Sequence, residues 1–189
     1  SKGHAALALY CILHEKGILS KKIIDTFGKN GTPLMAHASH KVKGVEFSTG
    51  SLGHGLPVGV GKALYFKTNN KKNKVFVLIS DGELNEGSTW ESLLFACHHR
   101  LDNLCIIIDN NKIQSLGHVK NIIKLEPLKN KLESFGAKVF RCDGHNINKI
   151  QTKFGSLNQL NAFKEAVKIS EGDLIFRSRG LIKNSYHCG

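Results

Sequence analysis

Two apolar runs of five residues, Val75–Ile79 and Leu104–Ile108, constrain the fold of this chain more than any other feature. They are continuous instead of alternating, which is the pattern of strands buried on both faces. Amphipathic stretches separate them from further strand-like segments. "KVFVLIS" leads to the helical "EGSTWESLLFACHHR", "NLCIIID" to a helix near 125–135, "AKVFRC" to helical stretches around 147–154 and 158–169, and "DLIFRS" closes the series. Strands alternating with helices predict an α/β fold, a doubly wound, mostly parallel sheet with helices on both faces. Runs of five residues are far too short to span a bilayer, so no membrane partner is expected. With 189 residues and no low-complexity tract, residues 1–189 are expected to form one domain.

Before the first strand, "SKGHAALALYCILHEKG" carries apolar residues at helical spacing and stops at Gly17. Ser20 is a candidate cap for a short helix, "KKIIDTF", ended by Gly28. Residues 29–47 read as irregular, and "STGSLGHGLPVGVGKALYF" as a glycine-rich entry into a helix reaching Thr68. A helix-interior glycine costs roughly 1 kcal/mol relative to alanine. Gly59 and Gly61 are therefore expected where a neighbour packs close against that helix.

The net charge of +12 raises the question of an anionic partner. The lysines are scattered, with one knot at Lys71, Lys72 and Lys74, and no aromatic residues are interleaved for base stacking. Nucleic acid is accordingly not an expected partner. The five cysteines include no Cys-x-x-Cys pair, which fits buried thiols in a reducing compartment, the cytoplasm, and not a disulfide or zinc scaffold.

The two longest strands end in oxygen donors. The first runs into "SDGELNEG", with Asp81, Gly82, Glu83 and Glu86, and the second into Asp109, Asn110 and Asn111. Ligands of such sheets bind beyond the carboxyl ends of the strands. A right-handed crossover brings both turns to the same rim. Carboxylate, amide and carbonyl oxygens suit Mg²⁺ or Ca²⁺, and Mg²⁺ shares its shell with phosphate oxygens. Gly82 allows close backbone approach, and a helix start favours an anion. By these residues alone, the alternative of a plain strand–turn–helix, with Asp81 or Glu83 merely charging the helix start, stays open.

"SDGELNEGSTWE" followed by "IIIDNNKI" resembles the motif of thiamine-diphosphate enzymes, in which the Asp and the Asn lie about as far apart as Asp81 and Asn111 do here, thirty residues. "SKGHAALALY", "GVEFSTGSLGHGLPVGVGKAL" and "CDGHN" stand around it in the order seen in transketolases, especially the N-terminal subunits of two-chain forms. The resemblance covers nearly all of residues 1–150. It implies thiamine diphosphate and Mg²⁺ (or Ca²⁺) as cofactors. It implies Asp81, Asn111 and the carbonyl of Ile113 as metal ligands. His4 and the N–H of Gly82 would meet the diphosphate, and Glu83 belongs to the same cofactor-binding motif. Gly50, Ser51 and Leu52 would line the aminopyrimidine. Glu86 would reach across a subunit interface. His37 would face the substrate, with His40 its rival, and His187 in "SYHCG" would lie near diphosphate and substrate.

The family transfers a two-carbon ketol unit between sugar phosphates, and a second, pyrimidine-binding domain supplies a glutamate for the cofactor ring. No such domain is read in this chain, so a pyrimidine-binding C-terminal subunit is the expected partner, in a heterotetramer or homo-oligomer. The chain opens on the "KGH" motif, so the helices that precede it in the family are expected to be absent from it. Ser80 stands where the family has glycine, and Cys188 where it has His or Gly. The other functions consistent with these motifs are a 1-deoxyxylulose-5-phosphate synthase-like or 2-oxoacid dehydrogenase-like enzyme, or a non-catalytic scaffold that kept the fold.

Overall fold

The structure is a computed structural model that describes residues 1–154 and 173–177. A single 3₁₀ turn, Gly3–Ala5, runs directly into α1 (Ala6–Glu15). Gly17 then adopts a φ of +70°, which ends the helix without the steric penalty a side chain would meet. The Ser20 hydroxyl accepts from the Ile23 amide at 3.4 Å and caps α2 (Lys21–Ile24). The irregular stretch that follows is held by its own small core. Tyr10, Leu13, Leu19, Leu34, Ala38, Val42 and Val45 bury together there, and the Tyr10 hydroxyl lies 3.3 Å from the carbonyl oxygens of both Met35 and His37.

The main core forms around α3 (Gly55–Thr68), β1 (Val75–Ser80), α4 (Gly87–His98) and β2 (Leu104–Asn110). A short hairpin, β3 (Ile113–Gln114) with β4 (Gly117–His118), follows, then α5 (Val119–Ile122) and α6 (Leu128–Ser134). The described chain ends with β5 (Val139–Asp143), α7 (Ile147–Phe154) and β6 (Asp173–Arg177). Period-two alternation divides the sheet faces. Val77, Ile79, Ile106 and Ile108 join Leu56, Val60 and Ala63 of α3, Leu93 and Ala96 of α4, and Leu128 and Leu132 of α6. Ile107 and Cys142 point the other way and pack with Ile150 of α7. Helices thus cover both faces, as expected.

Two expectations are corrected. The sheet order is β1-β2-β6-β5, and only β1–β2 is a parallel pair among the described strands; β6 runs antiparallel to both β2 and β5. The sheet is mixed, not mostly parallel. An apolar run marks a buried strand but carries no information on its direction. Gly59 and Gly61 also part company. A Cβ at Gly59 would overlap the Val77 side chain, whereas one at Gly61 meets nothing within 4 Å. Only the first glycine is demanded by packing. The helical stretch expected at 158–169 lies outside the described residues.

Candidate functional site

Parallel pairing of β1 with β2 places Ser80 opposite Asp109. Both strands therefore finish on one rim, where the chain turns into Asp81–Asn85 on one side and Asn110–Lys112 on the other. The two turns touch: the Lys112 amide donates to Asp81 Oδ2 at 2.8 Å. Lys112 holds a left-handed φ of +65°, uncommon for a residue with a side chain. The adjacent Asn111 Oδ1 accepts from the Ile113 amide at 2.9 Å and closes the loop around it. Asp81 is 1% exposed. Burial pushes its carboxyl above the usual range, the amides of Lys112 and Gly82 oppose that rise, Asp109 adds to it and Lys2 counters it.

Gly82 is buried, yet a Cβ there would sit at ordinary contact distances, 3.6 Å from Gln114 and 3.7 Å from the Ser80 hydroxyl. The protein's own packing does not demand glycine at this position. Ser80 is extended, with φ −92° and ψ 165°, so the serine replacing the family's glycine fits without strain. Glu83 is fully buried and its carboxylate accepts from the Ser1 hydroxyl at 2.5 and 2.6 Å. The Thr89 hydroxyl fastens the same residue's backbone by donating to the Glu83 carbonyl at 2.7 Å. Glu86 precedes α4 in extended conformation.

The "KGH" turn and two loops converge beside this rim. A Cβ on Gly3 would come within 2.9 Å of the Gly50 amide nitrogen and of Thr49 Oγ1, and 3.0 Å from the His37 ring. Gly50, at φ +147°, lies against the same imidazole. His37 therefore sits with Gly3 and Gly50, while its rival His40 turns to Ser48, 2.6 Å from that hydroxyl. Desolvation, the Lys2 ammonium and His37 lower the His4 imidazole below its ordinary 6.5, with Asp109 opposing. The loop that carries Ser51 and Leu52 is tied to α4, because the Ser88 hydroxyl donates to the Gly53 carbonyl at 2.7 Å. A Cβ on Gly53 would meet Glu86, so Glu86 lies against that loop. His187 lies outside the described residues.

Besides Asp109 and Asn110, which the sequence marked as donors at the end of the second strand, Asn85, Gln114 and Lys2 stand near the rim. Among the described residues, Asp109 Oδ1, Asn110 Nδ2, Asn85 Oδ1 and Gln114 Nε2 are buried without hydrogen-bond partners. Asn85 donates its amide to Gln114 Oε1 at 3.1 Å, linking the acidic turn to the hairpin. Lys2 is ion-paired to Asp109. Its place as the lysine of "KGH" was the only available signal for Lys2, and nothing in the sequence marked the amide pair. Among the described residues no three His, Cys, Asp or Glu side chains form a metal-sized group. A cation here would need amide and carbonyl oxygens beside Asp81, which is the donor set the rim holds. The residues present thus fit a hard cation that carries an anionic ligand.

The family described as "Transketolase, thiamine diphosphate binding domain" matches residues 1–162. A subunit of the apulose-4-phosphate transketolase of Actinobacillus succinogenes is 46% identical over 151 residues, covering 79% of this chain and 55% of that protein. The 6-deoxy-6-sulfo-D-fructose transketolase subunit SqwG of a Clostridium species is 40% identical over 151 residues, with the same coverage of 79% and 55%. The crystal structure of transketolase from Campylobacter jejuni superposes with a TM-score of 0.73 at 30% identity, over 87% of this chain and 26% of that one. The chain thus spans about half the length of these two subunits, 55% of each. Among the described residues, no helix is long and apolar enough to cross a membrane. With most of its length matched in the same order, the chain belongs to the transketolase family, as a member of its thiamine-diphosphate-binding domain.

Proposed function

We propose that this chain is the thiamine-diphosphate- and Mg²⁺-binding half of a transketolase, which moves a two-carbon ketol unit from a ketose phosphate to an aldose phosphate. The observation that carries this is the contact of the two oxygen-bearing turns, Asp81 Oδ2 on the Lys112 amide at 2.8 Å. Asp81, Asn111 and the Ile113 carbonyl hold the cation. The Gly82 amide and His4 receive the diphosphate, with Glu83 behind them as a buried support. Gly50, Ser51 and Leu52 line the aminopyrimidine. His37 faces the sugar, and His187 is assigned to the diphosphate and sugar by its "SYHCG" motif alone. Glu86, beside the Gly53 loop, serves the contact with a pyrimidine-binding partner subunit. When bound, thiamine diphosphate supplies the nucleophilic carbon and electron sink that ketol transfer requires. The chain's own task is to orient that group and keep water from it.

Residues 1–189 belong to this one domain, which works in the cytoplasm within an oligomer that includes the partner. Its relatives are named for apulose 4-phosphate and for 6-deoxy-6-sulfo-D-fructose, so the sugar belongs to a panel of phosphorylated and sulfonated ketoses. Calorimetry on the intact protein with its partner tests the site: saturable heat on adding thiamine diphosphate with Mg²⁺ is expected, and its absence refutes the proposal. Product analysis then separates activities. Xylulose 5-phosphate plus ribose 5-phosphate should yield a seven-carbon sugar phosphate. Turnover only of pyruvate with glyceraldehyde 3-phosphate would assign the synthase chemistry instead.

A further inference from the structure

Lys2 and Asp109 lie 107 positions apart in sequence and pair at the cofactor-side rim, with side chains only 10% and 4% exposed. The route of the contact is informative. The Lys2 amide donates to the Leu78 carbonyl at 3.1 Å, laying the residue along the outer edge of β1, and its side chain then reaches over β1 to Asp109 on β2. The Lys2 carbonyl accepts from the Ala5 amide at 3.1 Å and closes the turn that carries His4. Whatever anchors Lys2 therefore anchors His4. The ammonium also acts on both His4 and Asp81, so its positive charge is felt across this rim. The second oxygen of Asp109 is buried without a hydrogen-bond partner among the described residues, so Lys2 is the group that offsets that carboxylate there.

We propose that Lys2, held by Asp109, is a positioning and charge-balancing residue for the diphosphate end of the cofactor; this rests on the function proposed above. The two carboxylates that Lys2 acts on, Asp81 and Asp109, sum to a formal charge of −2, and Lys2 brings that group to −1, while Glu83 on the same turn is partnered by Ser1. A charge of −1 still attracts a divalent cation. A charge of −2 would hold the cation at least as well but would repel the diphosphate that must follow. The pair thus favours the anion without competing for the metal, and it sets the position of His4 at the same time.

The test is calorimetry on the intact protein with its partner, titrated with Mg²⁺ alone and then with thiamine diphosphate at saturating Mg²⁺. Lys2→Met is expected to weaken thiamine diphosphate by about tenfold or more while Mg²⁺ alone binds as tightly as before or tighter. Lys2→Arg keeps the charge and should stay within about threefold of the parent. Lys2→Met combined with Asp109→Asn restores the charge of −1 and should regain most of the lost affinity. The double variant also answers the concern that Lys2→Met fails to fold, because it leaves no unpaired buried carboxylate. Lys2→Met binding the cofactor within about threefold of the parent overturns the proposal, and so does equal weakening of Mg²⁺ and cofactor, the mark of a merely structural role. A parent protein that itself takes up no cofactor overturns the underlying site instead, and this proposal falls with it.

Discussion

Gly59 and Gly61 lie two positions apart on one helix, and alanine at each should move stability in opposite directions. Both substitutions gain the same helix-propensity term, about 0.8–1 kcal/mol. At Gly61 nothing lies within 4 Å of the added methyl, so that gain stands alone. At Gly59 the methyl would overlap Val77, 6% exposed and β-branched, with its own Cβ 3.7 Å away and Val75 at 3.8 Å. Valine has little χ1 freedom with which to retreat, and overpacking of this kind costs about 1–3 kcal/mol. Gly61→Ala should therefore stabilise by about 1 kcal/mol, and Gly59→Ala should be neutral to about 2 kcal/mol destabilising. Because the propensity term cancels, the difference between the variants isolates the steric cost. Urea unfolding of the intact protein measures it, and each 1 kcal/mol should appear as a melting shift of about 2–4 °C. Adding Val77→Ala to Gly59→Ala should recover at least about 1 kcal/mol of coupling, since the pair shares one space. Two single variants within about 0.5 kcal/mol of each other would refute the close approach of α3 to β1.

Three further outcomes follow from the site. Gly3→Ala should weaken cofactor binding by about tenfold with little change in melting temperature, because its methyl would displace Gly50 and His37 in an exposed loop; unchanged calorimetric affinity would contradict the convergence of those loops. Asp81→Asn should abolish saturable cofactor heat yet raise the melting temperature of the metal-free protein at neutral pH. The reason is one of sign: a carboxyl whose folded pKa is raised binds its proton better when folded, so it costs stability as pH climbs from the ordinary carboxylate value through the raised one. A lower melting temperature for Asp81→Asn would contradict that sign. NMR should find the His4 imidazole titrating below 6.5, with stability lost as pH falls through 6.5 because the unfolded chain takes up the proton first; a midpoint above 6.5 would contradict the desolvation of His4 beside Lys2 and His37.

Much of this molecule was legible in its residues. The five-residue apolar runs marked β1 and β2, Ser20 and Gly17 marked helix ends, and the polar residues closing both apolar runs, with a right-handed crossover, marked two turns of one rim. These are local signals, set by side-chain period, backbone φ and chain spacing. Other features depend on residues far apart in sequence. The antiparallel course of β6 is a choice of partner that an apolar run does not encode. The β3–β4 hairpin rests on the pairing of Ile113 with His118 and Gln114 with Gly117, too short to leave a hydrophobic pattern. Gly59 and Gly61 look alike until Val77 arrives beside one of them, and His37 and His40 until Gly3 does. The chemistry of the rim was written in residue types, because oxygen donors and glycines act through their own atoms. Which charges face each other there was decided only when β1 and β2 paired and carried Asp109 to Lys2, since Coulomb forces and close packing depend on distance in space.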